Sequence, residues 1–283
     1  MAAPTIDSFR SDVLTIEVDG HVATLWLDRP EKRNALGPDF WEDLPVAMAA
    51  LGADSDVRAV VLAAKGPHFS VGLDLTAMPD IAGPGGGEGA RLSVAGRAAH
   101  SRREIVRLQA SITSVAECPV PVIAAVQGWC IGGGVDLISA CDIRLASTEA
   151  RFSVREVRIA IVADLGSLQR LPAIIGEGHV AELAYTGKDI TAERAAVIGL
   201  INHVSSDADA VVADARTMAA EIAANSPLAV QGTKAVLVAG EGRTVAEGLD
   251  NVATWNAAFL TSDDLVEAMA AFIEKRPGKF TGN

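Results

Sequence analysis

Residues 120–144 read VPVIAAVQGWCIGGGVDLISACDIR. Within them Pro121–Val126 (PVIAAV) is a short, uninterrupted apolar run, the pattern of a strand buried on both faces. Gly128–Gly134 breaks that run and opens into an apolar helix whose first turn carries Asp136. From Cys118 to Val135 no residue is charged, which raises the question of a membrane span. Pro119, Pro121, Gln127, Gly128 and three consecutive glycines interrupt the stretch, so it reads as buried strand, loop and helix start.

The same plan recurs upstream. His21–Leu27 is apolar and partly β-branched, and Arg29-Pro30 ends it. Leu36–Leu51 has a helical pattern with Pro38 in its first turn, and Val57–Ala64 (VRAVVLAA) is a second buried strand, closed by Lys65-Gly66-Pro67. His100–Val115 is again helical. Strand, turn and helix with short connections predict an α/β core whose strands are covered on both faces. Gly83–Gly89 (GPGGGEG) lacks the GK[ST] ending of a phosphate-binding loop and reads as a surface loop. Beyond Ala181 the pattern is mostly helical, with segments at Asp207–Ala224, Leu228–Ala239, Val245–Phe259 and Asp263–Lys275, punctuated by Ser226-Pro227 and Ser262-Asp263.

Composition narrows the function classes. The 283 residues carry a net charge of −12, with 49% hydrophobic and 21% charged residues, the profile of a folded globular chain. The acidic balance argues against broad nucleic-acid or anionic-membrane binding, and aromatics at 4% are too few for base-stacking surfaces. Three cysteines (Cys118, Cys130, Cys141) with no CxxC pair point to a reducing compartment rather than a disulfide framework. Five dispersed histidines without HExxH give no support to a metal site. No signal-peptide pattern opens the chain, so a cytoplasmic location is expected.

Two glycine-containing loops each follow a buried strand: His68-Phe69-Ser70-Val71-Gly72-Leu73-Asp74-Leu75, and Gln127–Asp136. Glycines at such places let backbone N–H groups approach a ligand, and two loops together can present two donors to one oxygen. Three acids accompany them. Asp136 opens an apolar helix and Asp164 interrupts the apolar run Ile159–Leu165; Glu156 sits in Arg155-Glu-Val-Arg158. Each has an ordinary structural explanation as well: a first-turn acid for Asp136, a helix N-cap for Asp164, a solvated charge cluster for Glu156. No GxSxG nucleophile elbow is present. Two donor loops and three carboxyls without a nucleophile suit proton transfer next to a carbonyl whose enolate needs stabilising.

At these residues the chain resembles the enoyl-CoA hydratase/isomerase (crotonase) superfamily. The first loop matches its F-S-x-G-x-D-L pattern, and the second its G-x-x-x-G-G-G-x-[DE]-L pattern, followed by Cys141-Asp142-Ile143. Val120–Gly128, Leu168–Gly176 and Phe272–Arg276 (FIEKR) match further segments, so the likeness runs from about Val22 to Lys275. Within the superfamily, GGGVDLISACDIR (Gly132–Arg144) and EVRIAIVADLGSLQRLP (Glu156–Pro172) resemble Δ3,5-Δ2,4-dienoyl-CoA isomerases. Hydratases usually have glutamates at the positions of Asp136 and Glu156, with glycine common at that of Asp164. Arg158 stands where an acidic or small residue is expected.

The resemblance implies a crotonase-type spiral of ββα units over residues 1–200, and a helical region for trimerisation over residues 201–283. It implies catalysis by Asp136, Glu156 and Asp164, with an oxyanion hole from the N–H groups of Leu73 and Gly133. Coenzyme A would be bound through Lys32, Arg33, Phe69, Ser70 and Val71, with Phe272 and Lys275 approaching from a neighbouring subunit. The implied partners are an acyl-CoA thioester and further copies of the chain, as a homotrimer or a hexamer of two trimers. No separate cofactor and no metal are expected, coenzyme A being part of the substrate. The implied reaction converts 3,5-dienoyl-CoA to 2,4-dienoyl-CoA in fatty-acid β-oxidation. A 2-enoyl-CoA hydratase, or a non-catalytic acyl-CoA-binding member, is the alternative.

Overall fold

Burial on both faces is what erases the polar–apolar alternation from the central strands. In the computed structural model, which describes residues 4–77 and 93–283, six strands form the main sheet. They are β1 (Leu14–Asp19), β2 (Val22–Leu27), β3 (Ala59–Ala64), β4 (Val122–Val126), β6 (Ile143–Ser147) and β9 (His203–Ser205), in the order β1-β2-β3-β4-β6-β9. β1 and β2 are an antiparallel hairpin, and every later pairing is parallel. Along β3, Val60, Leu62 and Ala64 face one apolar cluster while Ala59, Val61 and Ala63 face another. A smaller sheet joins β5 (Trp129–Ile131), β7 (Arg151–Ser153) and β8 (Ile190–Thr191) in the order β5-β7-β8.

Helices α1 (Pro38–Ala53) and α2 (Val94–Ala116) pack together and feed the larger cluster. The short α3 (Gly133–Ser139), α4 (Ser167–Ile175), α5 (Glu177–Thr186) and α6 (Ala192–Val197) follow. On the opposite face of the sheet lies α7 (Ala208–Ala223), which sets Val211, Ala215 and Ala219 against alanines and branched residues of β3, β4 and β6. Small side chains at one-turn spacing let this helix approach the sheet closely. Thus β9 and α7, both beyond residue 200, belong to the sheet layers. From α8 (Pro227–Gly240) onward, α9 (Val245–Phe259) packs on α8, and α10 (Asp263–Glu274) carries the C-terminal tail.

Helix starts follow the sequence signals. Asp207, Ser226 and Ser262 each accept an N–H from the first turn of α7, α8 and α10. Pro38 begins α1, two residues later than the pattern from Leu36 suggests, because Leu36 instead bridges to Leu73. α2 begins at Val94, before the expected His100. The Gly128–Gly134 loop contains β5, whose three residues are too few to show a period. The Gly83–Gly89 stretch lies outside the described residues. Among the described residues no helix is long and apolar enough to cross a membrane, and the three cysteines are free and buried.

Candidate active site

The exits of β3 and β4 are laced into one structure. Phe69 N–H donates to Gln127 O at 2.8 Å, Ser70 N–H to Trp129 O at 2.9 Å, and Ile131 N–H to Ser70 O at 3.0 Å. The Gln127 amide adds bonds to Ala64 O and Gly66 O. Only glycine fits where the loops cross. A Cβ on Gly128 (φ +55°) would lie 2.0 Å from Pro67 O, and one on Gly72 (φ +84°) would lie 2.7 Å from Ile131 O.

This lacing brings two backbone donors together. The position of a Cβ on Gly72 is 3.4 Å from Gly133 N, and that of a Cβ on Gly133 is 3.9 Å from Leu73 N. The bridge to Leu36 uses Gly72 O and Asp74 N–H, which leaves Leu73 N–H out of it. Among the described residues neither Leu73 N–H nor Gly133 N–H donates a hydrogen bond. Gly133 begins α3, where first-turn N–H groups lack helical partners. Two free donors on facing loops form a pocket for one oxygen carrying negative charge.

Asp136 sits one turn along α3 and is only 1% exposed. Its Oδ1 accepts the N–H of Ser167, at the start of α4, at 2.6 Å. Burial pushes its carboxyl up to about 6; Asp164 pushes the same way, while the Ser167 N–H and Arg170 oppose. Asp136 is therefore a first-turn acid of α3 and also the anion at the N-terminus of α4.

Glu156 opens a 3-10 turn, Glu156–Ile159, after β7. Its Oε1 lies 3.2 Å from where a Cβ on Gly132 would stand, and its Oε2 is buried with no hydrogen-bond partner among the described residues. Burial, reinforced by the charges of Asp136 and Asp164, lifts its carboxyl to about 7. The solvated-cluster reading of Glu156 is thereby overturned: Arg158 is exposed, but the glutamate turns inward beside Gly132, the residue that precedes α3. The N-cap reading of Asp164 fails too. Gly166, at φ +126°, holds the cap position of α4, and Asp164 lies two residues upstream, half-buried, its carboxyl raised by burial. The three carboxyls come from three different elements: Asp136 follows Gly133 on α3, Glu156 Oε1 lies by Gly132, and Asp164 stands three residues before the Ser167 N–H that holds Asp136.

Residues expected around coenzyme A divide into two groups. Lys32 and Arg33 are exposed on a turn whose Arg33 O accepts Val71 N–H. Phe69 and Ser70 are fully buried, and the N–H groups of Phe69, Ser70 and Val71 are all spent on holding the loop. Phe272 and Lys275 are exposed at the end of α10, where Lys275 takes a left-handed conformation.

Sequence reading missed the residues that hold the loops. Asn34, buried and left-handed (φ +53°), donates to Lys65 O and His68 O, accepts Arg29 N–H, and offers its carbonyl to Ser70 Oγ. Asp74 pairs with Arg29 at 2.8 Å just after Leu73. Gln109 donates to Asp164 O at 2.7 Å. The one local hint was an asparagine, a residue that tolerates left-handed backbone, directly after Lys32-Arg33.

A family model described as enoyl-CoA hydratase/isomerase matches residues 17–283. The chain belongs to the enoyl-CoA hydratase/isomerase family. It is 43% identical over 278 residues to the peroxisomal Δ3,5-Δ2,4-dienoyl-CoA isomerase of Arabidopsis thaliana, covering 98% of this chain and 99% of that one. To the mitochondrial Δ3,5-Δ2,4-dienoyl-CoA isomerase of Rattus norvegicus it is 43% identical over 261 residues, 92% of this chain and 78% of the relative. Among solved structures, an enoyl-CoA hydratase from Bacillus anthracis superposes with a TM-score of 0.87 at 29% identity, covering 96% of this chain and 100% of that one. The fold is that of the crotonases, and an enzyme acting on acyl-CoA thioesters follows from the family.

Proposed function

We propose that this enzyme isomerises 3,5-dienoyl-CoA to 2,4-dienoyl-CoA in fatty-acid metabolism, with Asp136, Glu156 and Asp164 as its acid–base groups. The observation that carries the reading is the third carboxyl: Asp164, half-buried and raised by burial, stands three residues before Ser167, whose N–H holds Asp136 Oδ1 at 2.6 Å. Hydration needs acid–base work only near C2 and C3. Moving a 3,5-diene requires a proton delivered at C6 as well.

In this mechanism Glu156, whose Oε2 has no hydrogen-bond partner among the described residues, takes the C2 proton. The C–H electrons pass through C1 to the thioester oxygen, where the N–H groups of Leu73 and Gly133 meet the developing charge. Asp164 gives its proton to C6. The double bonds settle at C2 and C4, the thioester carbonyl re-forms, and after product leaves Glu156 gives its proton to water while Asp164 takes one back. Asp136, anchored by Ser167, keeps the proton affinity of Glu156 high. Coenzyme A would lie along Lys32, Arg33 and the Phe69–Val71 backbone, with Phe272 and Lys275 supplied by a neighbouring copy in a trimer or hexamer. Three free, buried cysteines suit a reducing compartment, and we place the enzyme in the cytoplasm.

Ultraviolet absorption tests the reaction directly, with 3,5-dienoyl-CoA and 2-enoyl-CoA assayed side by side. Formation of the conjugated dienoyl thioester is the expected result. Loss of enoyl conjugation alone would make the enzyme a hydratase, and no change in either a binding protein.

A further inference from the structure

Segment 164–170 carries parts of two proton-transfer groups: Asp164 itself, and the Ser167 N–H that holds Asp136. This segment does not stand alone. Gln109 and Thr113, one turn apart on α2, grip its two ends. Gln109 Nε2 donates to Asp164 O at 2.7 Å, and Arg170 Nη2 donates to Thr113 Oγ1 at 3.1 Å. Arg170 also fills the space over Gly166, where a Cβ would fall 1.9 Å from Nη1. α2 is itself fixed, because Leu108 and Ile112, which flank Gln109 along the helix, are buried in the main cluster. A rigid helix therefore sets where the Asp164 backbone sits relative to Asp136.

We infer that Gln109 is a positioning residue for the C6 proton transfer, and that the Gln109–Thr113 grip of α2 decides whether the dienolate is protonated at C6 or returned to C2. The inference rests on the isomerase reading above. Its physical basis is geometric. The dienolate has two carbons open to protonation, and Glu156 already stands at C2 with the proton it removed. Forward reaction requires Asp164 to be within proton-transfer reach of C6, and misplacement by about 1 Å is enough to cost on the order of a hundredfold in rate. Gln109 touches no reacting atom; it holds the main chain of the residue that does.

The test uses the full-length enzyme and 3,5-dienoyl-CoA in heavy water. Product is followed by ultraviolet absorption, and deuterium entering C2 of the recovered substrate by mass spectrometry. Gln109→Met keeps side-chain length and removes the donor. It is expected to lower kcat for isomerisation at least about tenfold with KM within about twofold. The ratio of C2 exchange to product should rise at least about tenfold, because the dienolate still forms and returns after the Glu156 carboxyl has exchanged its proton for deuterium from the solvent. Thr113→Val, which cuts the other tether, should raise the same ratio about threefold and provides the test if Gln109→Met does not fold. An unchanged exchange-to-product ratio in the folded variants overturns the inference, whether rates fall together or stay normal. Asp164→Asn separates the two levels. If it isomerises normally, the underlying reading falls; if it is inactive while Gln109→Met partitions like wild type, only the role of Gln109 falls.

Discussion

Burial lifts Asp136 from an ordinary 3.8 to about 6 and Glu156 from 4.5 to about 7. Both carboxyls bind protons more tightly in the folded chain than in the unfolded one. Their stabilising effect is therefore complete below the unfolded values and is lost as pH rises through the folded ones. At pH 8 the ionised, buried Asp136 costs on the order of 3 kcal/mol. Asp136→Asn keeps an oxygen for the Ser167 N–H and removes the charge. Its Tm should exceed that of wild type by several degrees at pH 8, and the gap should close towards pH 4. The same variant bears on the chemistry. The Asp136 anion is one of the forces raising Glu156, so its removal should move the acid limb of the pH–kcat/KM profile below 7. Asp164→Asn should cut dienoyl isomerisation at least about a hundredfold while Tm and coenzyme A binding stay near wild type. The sequence displayed Asp164 as a charge misplaced in an apolar run. The family-like stretches Gly132–Arg144 and Glu156–Pro172 already grouped it with Asp136 and Glu156, whereas the hydrogen bond to its carbonyl from Gln109, 55 residues earlier, has no local signal in the sequence.

The strand–loop–helix of residues 122–139 was legible because each part has a strong local cause: two-sided burial for β4, a glycine run for the turn, an apolar helix behind it. The small sheet was not. β5, β7 and β8 have two or three residues each, shorter than any alternation can register, and they pair only across long sequence separations, β5 with β7 and β7 with β8. β1 was hidden for another reason: it is an edge strand with exposed Glu17, Val18 and Asp19, lacking the apolar run of its neighbours. The laced loops also make a sharp prediction about backbone chemistry. Gly72→Ala would need a left-handed alanine with its Cβ 2.7 Å from Ile131 O, so the loops must part and the two donors with them. Turnover should fall at least about a hundredfold, as for loss of an oxyanion-hole donor, in a protein that still folds. Leu73→Ala keeps its N–H and should stay within a few-fold of wild type. Steady-state kinetics on both variants, with circular dichroism to establish folding, distinguish a backbone site from a side-chain one.

At the scale of the molecule, the apolar surface of the C-terminal helices is left uncovered among the described residues. On α10, Phe272 is 82% and Ile273 75% exposed, and Val266 and Met269 continue the stripe at one-turn spacing. The other side of that helix is well anchored: Asp264 accepts Ser226 Oγ and the N–H groups of Thr281 and Gly282, and Glu267 pairs with Arg276. A helix held this firmly, with a row of large apolar side chains turned to solvent, has the form of an interface. A second copy of the chain would cover the stripe and bring Phe272 and Lys275 to its neighbour's substrate. Val266→Asp with Phe272→Asp leaves Asp264, Ser226, Glu267 and Arg276 untouched, so the helix should stay folded. If the trimer or hexamer proposed above forms, sedimentation of that double variant should reveal species smaller than those of wild type, and KM for acyl-CoA esters should rise several-fold as the neighbour's contribution is lost. If wild type itself sediments as a single, fully active monomer, the stripe has no partner copy and the assembly is refuted.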